Sequence, residues 1–405
     1  MYCILKYICN EFHDTTIFKL MNRKIRMGMI GGGPGAFIGA VHRIAANMDG
    51  QIELVCGAFS SDPERSMQAG HELFLTMNRV YGSFTEMIRK EAGLPESERM
   101  DFVSIVTPNH LHYEPAKLAL ENGFHVVLDK PMTFDLHEAK LLKQLVAKSG
   151  KYFCLTHTYT GYPMIKQAKQ MVKDGSFGNI RKIYVEYPQG WLSTYVEGGK
   201  SKQASWRTDP LKSGKAGAMG DIGTHAFNLA EYVSGLQVTH LCAQLNTYVG
   251  GRKLDDDGDV LLKFNNGASG VLSATQIAAG EENNIKIKIY GEKGGWAWQH
   301  NDANTLTVKW LDKPVEILRT GSSDLSPYAS HNTRTPAGHP EGYLEAFANL
   351  YRNFSLCVRA YINNEKPAEE WLDFPGVEEG VRGMAFIDNV VKSSMAKEKW
   401  IDFIV

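Results

Sequence analysis

The sequence predicts an α/β chain of two domains: an N-terminal doubly wound parallel sheet, then a second α/β domain built on a large open mixed or antiparallel sheet. Three observations carry this. A length of 405 residues suits two units at about 100 to 200 residues per domain. Up to Thr160, short apolar runs alternate with amphipathic stretches of helical length, the rhythm of parallel strands joined by helices. Beyond it, apolar and polar residues alternate with period two and the turns become short.

The elements follow in order. A strand, IRMGMIG, starts at Ile25, a helix is expected over 34–48, and IELVCGAFS forms the second strand from Ile52. FVSIVTP from Phe102, a helix over 110–122, HVVLDKP from His125, a helix over 136–149 and YFCLTHT from Tyr152 continue the pattern. Near-continuous Val, Ile and Leu in these strands indicates a sheet covered on both faces. One further helix, 164–174, leads into RKIYVEY, VTHLCAQLNTYV, DVLLKFNNGASGVLSATQIA and NNIKIKIYGEKGGWAW. Turn signals at 265–267 and 292–295 make hairpins of these runs, and alternation leaves one sheet face open as a docking surface for another subunit. Helices over 342–354 and 377–396 close the chain and pack back on the sheet or the first domain. The expected boundaries are 1–22 for a disordered extension upstream of a start at Met21, 23–157 for the first domain and 158–405 for the second.

Composition narrows the function. Hydrophobic residues at 43% and charged residues at 22% are those of a globular protein, and a net charge of -1 offers no basic field to nucleic acid or an anionic membrane. Cys3, Cys9, Cys56, Cys154, Cys242 and Cys357 are scattered without a CxxC pair, so they are read as small apolar residues rather than disulfides or zinc ligands. A cytoplasmic location is the expectation. The apolar run from Tyr2 to Cys9 is broken by Lys6 and lacks a cleavage site, so it is not read as an export signal. No run of about 18 apolar residues occurs, so no spanning helix is expected. The acidic run Asp255, Asp256, Asp257 and Asp259 lacks the spacing of a calcium loop, is read as a solvated turn, and no metal is assigned.

MIGGGPGAF places Gly31, Gly33 and Ala36 in a GxGxxA pattern between the first strand and its helix. The first glycine permits the tight turn, the second admits a pyrophosphate close to the backbone, Ala36 permits close helix packing, and Pro34 suits the first helical turn. This predicts a Rossmann domain that binds NAD or NADP. The second strand runs into FSSDPERS, without a carboxylate at the expected place for ribose. Ser60 and Arg65 suit a 2'-phosphate, which tilts the choice slightly to NADP, and Asp62 reads foremost as a helix N-cap.

With these pieces, VTPNHLH, LDKPMT and GAMGDIGTHAFNLAEY, in that order on those elements, resemble the signature of the Gfo/Idh/MocA oxidoreductases, the family of glucose-fructose oxidoreductase and inositol dehydrogenase. The likeness spans residues 24 to about 395. It implies a Rossmann domain, a second domain with a large open sheet, and assembly as homodimers or homotetramers. It also implies that Lys130 contacts substrate and nicotinamide, that Pro108, Asn109 and His112 border the nicotinamide, and that Asp221 and His225 lie over the substrate hydroxyl. Asp129 stands where the family has glutamate, which puts the usual cofactor contact there in doubt.

These residue types suit oxidation of an alcohol. Neutral imidazole is a suitable base near neutral pH, and a carboxylate four residues away in a helical segment projects from the same face to orient it. Lys130 would stabilise the developing charge on oxygen. His157, Tyr159, Trp206, Arg207, Arg334 and His339, with Glu341, are candidates to line a site for a sugar or polyol. The expected function is interconversion of a ring hydroxyl and a ketone on a sugar or inositol. The alternatives are a redox-neutral hydrolase or lyase that retains its cofactor, and a non-catalytic ligand sensor.

Overall fold

The computed structural model describes residues 23–199 and 202–405; the expected extension over 1–22, with Cys3 and Cys9, lies outside them. The first sheet comprises β1 (Ile25–Gly31), β2 (Ile52–Ala58), β3 (Phe102–Val106), β4 (His125–Leu128) and β5 (Phe153–Leu155). All are parallel, in the order β2-β1-β3-β4-β5. The helices are α1 (Phe37–Asn47), α2 (Pro63–Glu72), α3 (Phe84–Ala92), α4 (Tyr113–Glu121) and α5 (Leu136–Ser149). Every residue of β3, β4 and β5 is buried, as their unbroken apolar sequences require. Strand order reverses beside β1, so the crevice at its carboxyl end is where such a sheet binds ligands.

The chain then crosses on α6 (Pro163–Lys173) to a second sheet that begins with β6 (Ile180–Pro188). Helices α7 (Lys202–Arg207), α8 (Pro210–Ser213) and α9 (Thr224–Ser234) precede β7 (Val238–Asn246), β8 (Asp257–Phe264), β9 (Ser269–Thr275), β10 (Lys286–Gly291), β11 (Gly294–Gln299), β12 (Thr305–Trp310) and β13 (Glu316–Arg319). Helices α10 (Pro327–His331), α11 (Tyr343–Ile362) and α12 (Val377–Met395) and strand β14 (Trp400–Asp402) complete the chain. The nine strands run β13-β12-β11-β10-β6-β9-β8-β7-β14, with β6 and β9 parallel and the other pairs antiparallel. Burial alternates along β8 and β9, so one face carries the core and the other faces outward. Among the described residues no helix is long and apolar enough to cross a membrane.

Helix α11 belongs by sequence to the second half yet packs on the first. Phe347 meets the His42 ring of α1 edge-on at 4.7 Å, and Phe354 meets Phe102 of β3 at 5.1 Å. This helix runs a further eight residues beyond the expected end at 354, because Val358 and Ala360 continue its buried stripe. α3 had no counterpart in the sequence reading, nor did β12, β13 and β14. Helix α1 starts at Phe37, so Pro34 sits in the preceding loop rather than in the first turn.

The acidic run is not a solvated turn: Asp255 and Asp256 are only 8% and 0% exposed. The Asp256 carboxylate accepts the N–H groups of Tyr248 and Val249 and pairs with Arg252 at 3.1 Å. Asp255 accepts from the backbone of Gly217 at 2.6 Å and Met219 at 2.8 Å, just ahead of α9. Backbone donors that would otherwise lie unpaired in the interior draw both carboxylates inward.

Candidate active site

A cleft of about 1090 Å³ opens where the carboxyl ends of the first sheet meet the second domain, and both domains line it. Its first end is the glycine loop. Gly31 and Gly32 take left-handed φ of 83° and 72°, which residues with a Cβ rarely adopt. A Cβ on Gly33 would stand 2.7 Å from the Phe59 carbonyl oxygen. Ala36 caps α1 without a side-chain bond and the first turn holds no acidic residue, so the leading N–H groups remain available to an anion. Gly31, Gly33, Pro34 and Ala36 all line the cleft. The cradle therefore fits the pyrophosphate of a dinucleotide.

Farther out, Ser60 and Arg65 also line the cleft. Asp62 accepts the N–H groups of Glu64 at 3.0 Å and Arg65 at 3.4 Å, so its carboxylate is engaged as the N-cap of α2. Ser60 Oγ in turn accepts from Asp62 N.

On the inner side lie Pro108 and Asn109, the latter donating to Ser213 O of the other domain at 3.2 Å. His112 does not reach the cleft. It is buried, with its two ring nitrogens 2.8 Å from Thr107 O and Pro131 O, and so ties the loop after β3 to the turn after Lys130. Asp129 accepts from Thr156 Oγ1 at 2.8 Å and lies 3.8 Å from His42 Nε2. Burial alone would raise the Asp129 carboxyl, but His42, Lys130 and His112 hold it well below the usual carboxylate range.

The inner end holds the charged cluster. Lys130 Nζ donates to Asp221 Oδ1 at 2.6 Å and to its backbone oxygen at 2.8 Å. Asp221 Oδ2 takes Gln276 Nε2 at 2.9 Å and lies 3.3 Å from Arg207 Nε. Burial works to raise this carboxyl, yet Lys130 and Arg207 keep it well below its ordinary range. Asp221 sits in a π-helical turn, Met219–Gly223, and His225 in the first turn of α9. The segment is thus not the regular α-helix expected from the four-residue spacing, and Asp221 turns to the cations rather than to the imidazole. His225 lines the cleft with its Nδ1 3.4 Å from His157 Nδ1. Burial, then Lys130, lowers both rings: His157 is pushed down to about 3 and His225 well below its ordinary value.

Of the remaining candidates, Tyr159, Trp206 and Arg207 line the cleft, and the Arg207 guanidinium lies 4.4 Å from the Trp206 ring centroid. His157 stands behind His225. Arg334 and His339 are elsewhere. Arg334 donates to Asp49 at 2.8 Å and to Asn349 at 2.8 Å, joining the chain ahead of α11 to the loop after α1. His339 is exposed and turned to Pro336 O, while Glu341 is buried and accepts the N–H of Thr335 at 2.8 Å.

Several cleft residues escaped the sequence reading. Tyr187 donates to Asn283 Oδ1 at 2.7 Å, Gln189 to the same oxygen at 2.6 Å, and Asn283 to Tyr159 OH at 3.2 Å, while Tyr159 and Tyr187 share a hydroxyl hydrogen bond. Trp191 and His300 complete that wall. They come from the ends of separate strands and loops, so no local motif announces them.

Two family models match this chain. Residues 25–157 match that of an oxidoreductase family with an NAD-binding Rossmann fold, and residues 165–297 match the GFO/IDH/MocA C-terminal domain. The crystal structure of an oxidoreductase from Sinorhizobium meliloti is 43% identical, with 94% of this chain and 100% of that one covered and a TM-score of 0.83. An inositol dehydrogenase homolog from Azotobacter vinelandii, solved with NADH and myo-inositol, is 31% identical over 95% of this chain and 98% of its own, with a TM-score of 0.85. Levoglucosan dehydrogenase of Pseudarthrobacter phenanthrenivorans is 26% identical over 94% and 98% of the two chains. By both of its domains, and at these identities over nearly its full length, the chain belongs to the GFO/IDH/MocA family of NAD-binding oxidoreductases.

Proposed function

We propose that the protein oxidises a ring hydroxyl of a cyclic polyol or sugar to a ketone, and runs the reverse reduction, with NAD as its cofactor. The observation that carries this reading is the Lys130 ammonium fixed on the Asp221 carboxylate at 2.6 Å, in one cleft with His225 and the glycine loop. The relatives solved or named with myo-inositol and levoglucosan act as guides to the substrate class. When bound, the nicotinamide accepts or returns the hydride. Lys130 hydrogen-bonds the substrate oxygen and stabilises the negative charge that grows on it, Asp221 holds the ammonium in place, and His225 takes the hydroxyl proton. Because its basicity is depressed, His225 stays unprotonated well below pH 6.5 and is available as an acceptor throughout the neutral range.

Charge balance extends the reading to the substrate. Lys130 and Arg207 are both paired with Asp221, and Asp129 adds a second carboxylate, which among the described residues leaves no surplus positive charge for a phosphate or carboxylate at this end. Tyr159, Tyr187, Gln189 and Asn283 present hydroxyl and amide groups suited to neutral ring hydroxyls. The test is formation of reduced nicotinamide by the purified protein across myo-inositol, levoglucosan, neutral monosaccharides, a sugar phosphate and a sugar acid. Turnover of a neutral member is expected; turnover confined to the anionic members contradicts the substrate class, and none across the panel contradicts the dehydrogenase reading.

A further inference from the structure

His225 is the acceptor in the reaction above only if its catalytic nitrogen is bare, and imidazole has two neutral tautomers. Asp221 does not select between them, because its two carboxylate oxygens are taken by Lys130, Gln276 and Arg207. Tyr159 and Tyr187, whose rings lie 5.1 and 6.3 Å from that of His225, turn their hydroxyls to one another and to Asn283. Among the described residues, the polar atom that faces the imidazole is Nδ1 of His157, 3.4 Å from His225 Nδ1, with the two rings nearly perpendicular at 82°.

We propose that His157 is a positioning residue that accepts a hydrogen bond from His225 Nδ1–H and so leaves His225 Nε2 bare to take the substrate proton. The proposal rests on the dehydrogenase reading for its consequence, but the contact itself does not.

Two facing Nδ1 atoms attract only when one bears hydrogen and the other a lone pair; two hydrogens or two lone pairs repel. The pair therefore has complementary tautomers, with the proton on one inner nitrogen. Both rings are buried, at 2% and 8% exposure, and a cation, Lys130, stands close enough to lower the basicity of each. Of the two rings, that of His225 lines the cleft together with Lys130 and that of His157 does not, and an imidazole beside an ammonium group does better presenting a lone pair to the cleft than an N–H. That choice sets His225 as Nδ1–H with Nε2 bare, and His157 as the converse, with Nε2–H. In the oxidation, the hydroxyl proton then passes to His225 Nε2 while the C–H electron pair leaves as hydride to the nicotinamide. His157 neither gains nor loses a proton in that step. It fills the place that an orienting carboxylate fills in a triad, but as a neutral acceptor, so it sets the tautomer without making His225 more basic. Position 157 lies two residues beyond the end of β5 and is fixed by its own backbone, whose N–H donates to Leu155 O at 2.8 Å and whose carbonyl accepts from Thr160 Oγ1 at 2.8 Å.

The direct test is nitrogen NMR of the full chain labelled with ¹⁵N at its histidine rings, the His225 and His157 signals being assigned by their loss in His225→Phe and His157→Phe. The expected spectrum of the parent shows a protonated Nδ1 and an unprotonated Nε2 for His225, and the reverse for His157. In kinetics, His157→Phe should lower kcat about 10-fold or more with KM within about 3-fold, and His157→Asn, whose amide oxygen accepts, should regain most of the loss. An unprotonated His225 Nδ1 in the parent, assigned from whichever of the two variants folds, overturns the proposal, and so does parent-like kcat in His157→Phe. The expected tautomers in a protein that oxidises no polyol would instead sink the dehydrogenase reading and leave the assigned tautomer standing.

Discussion

Replacing Gly39 with alanine should weaken the protein where the same change elsewhere in a helix would strengthen it. Gly39 lies in the first turn of α1, and its neighbour is the glycine loop: an added Cβ would stand 2.3 Å from Gly32 Cα, 2.7 Å from Gly32 O and 2.9 Å from Gly32 C. All three are backbone atoms and none can rotate away. An ordinary helical Gly→Ala change gains about 1 kcal/mol from propensity, while forced overpacking costs typically about 1 to 3 kcal/mol. The balance falls on a loss of about 1 kcal/mol in stability, borne by the loop of Gly31, Gly32 and Gly33. Because that loop is the pyrophosphate cradle, the same displacement should weaken NADH binding about 10-fold, the equivalent of about 1.4 kcal/mol. Gly383 in α12 serves as the control, since a Cβ there meets nothing within 4 Å and alanine should be neutral or stabilising. Urea denaturation gives the first quantity and fluorescence titration with NADH the second. If Gly39→Ala matched Gly383→Ala in stability and bound NADH like the parent, the packing argument and the position of the cofactor would both be wrong.

Asp255→Ala should cost about 2 to 5 kcal/mol by stranding the Gly217 and Met219 N–H groups, and Asp255→Asn less, as read by denaturant midpoints. Arg334→Ala should lower the melting temperature but leave KM for the polyol unchanged, because its guanidinium binds Asp49 and Asn349 outside the cleft; a raised KM would return it to the site. His125, held at about 3 mainly by burial, and His157, also at about 3, stay neutral when folded but take up protons near pH 6.5 when unfolded. Stability should therefore rise with pH between about 3 and 6.5, with about 2 kcal/mol lost per group at pH 5, and thermal melts that stayed flat across that window would contradict the burial argument. The acid limb of kcat/KM for oxidation should likewise lie below pH 6.5, the ordinary value for His225, and a limb at or above it would show that the ring is not desolvated as described.

The parts of this molecule that the sequence discloses are those in which function is local. The glycine loop is one turn between a strand and a helix, and its geometry follows from the left-handed φ of Gly31 and Gly32 and the close approach of Gly33 to Phe59 O. Lys130 and Asp221 are each set in a short motif, although their contact spans 91 positions in the chain. The regular strands were legible because burial on both faces, or on alternate residues, is written directly in the apolar pattern. Arg334 misled because a charge in a loop looks the same whether it meets a ligand or a distant Asp49. Asp255 and Asp256 misled for the opposite reason, since an acidic run normally faces water and only tertiary packing brings backbone donors to meet it. Gln276 and Asn283 carry no pattern at all. The register of β9 with its neighbours and the loop that follows bring Gln276 to Asp221 and Asn283 to the cleft wall, which no short window contains.

The measurement closest to the central claim is the initial rate of reduced nicotinamide formation by Lys130→Met against the parent, with saturating NAD and the best polyol of the panel. Methionine keeps the length of the side chain and removes the ammonium that binds Asp221 at 2.6 Å. A fall in kcat of about 100-fold or more, with NADH affinity retained within a few-fold, is the predicted result. A kcat equal to that of the parent would contradict the assignment of Lys130 and, with it, the account of the site.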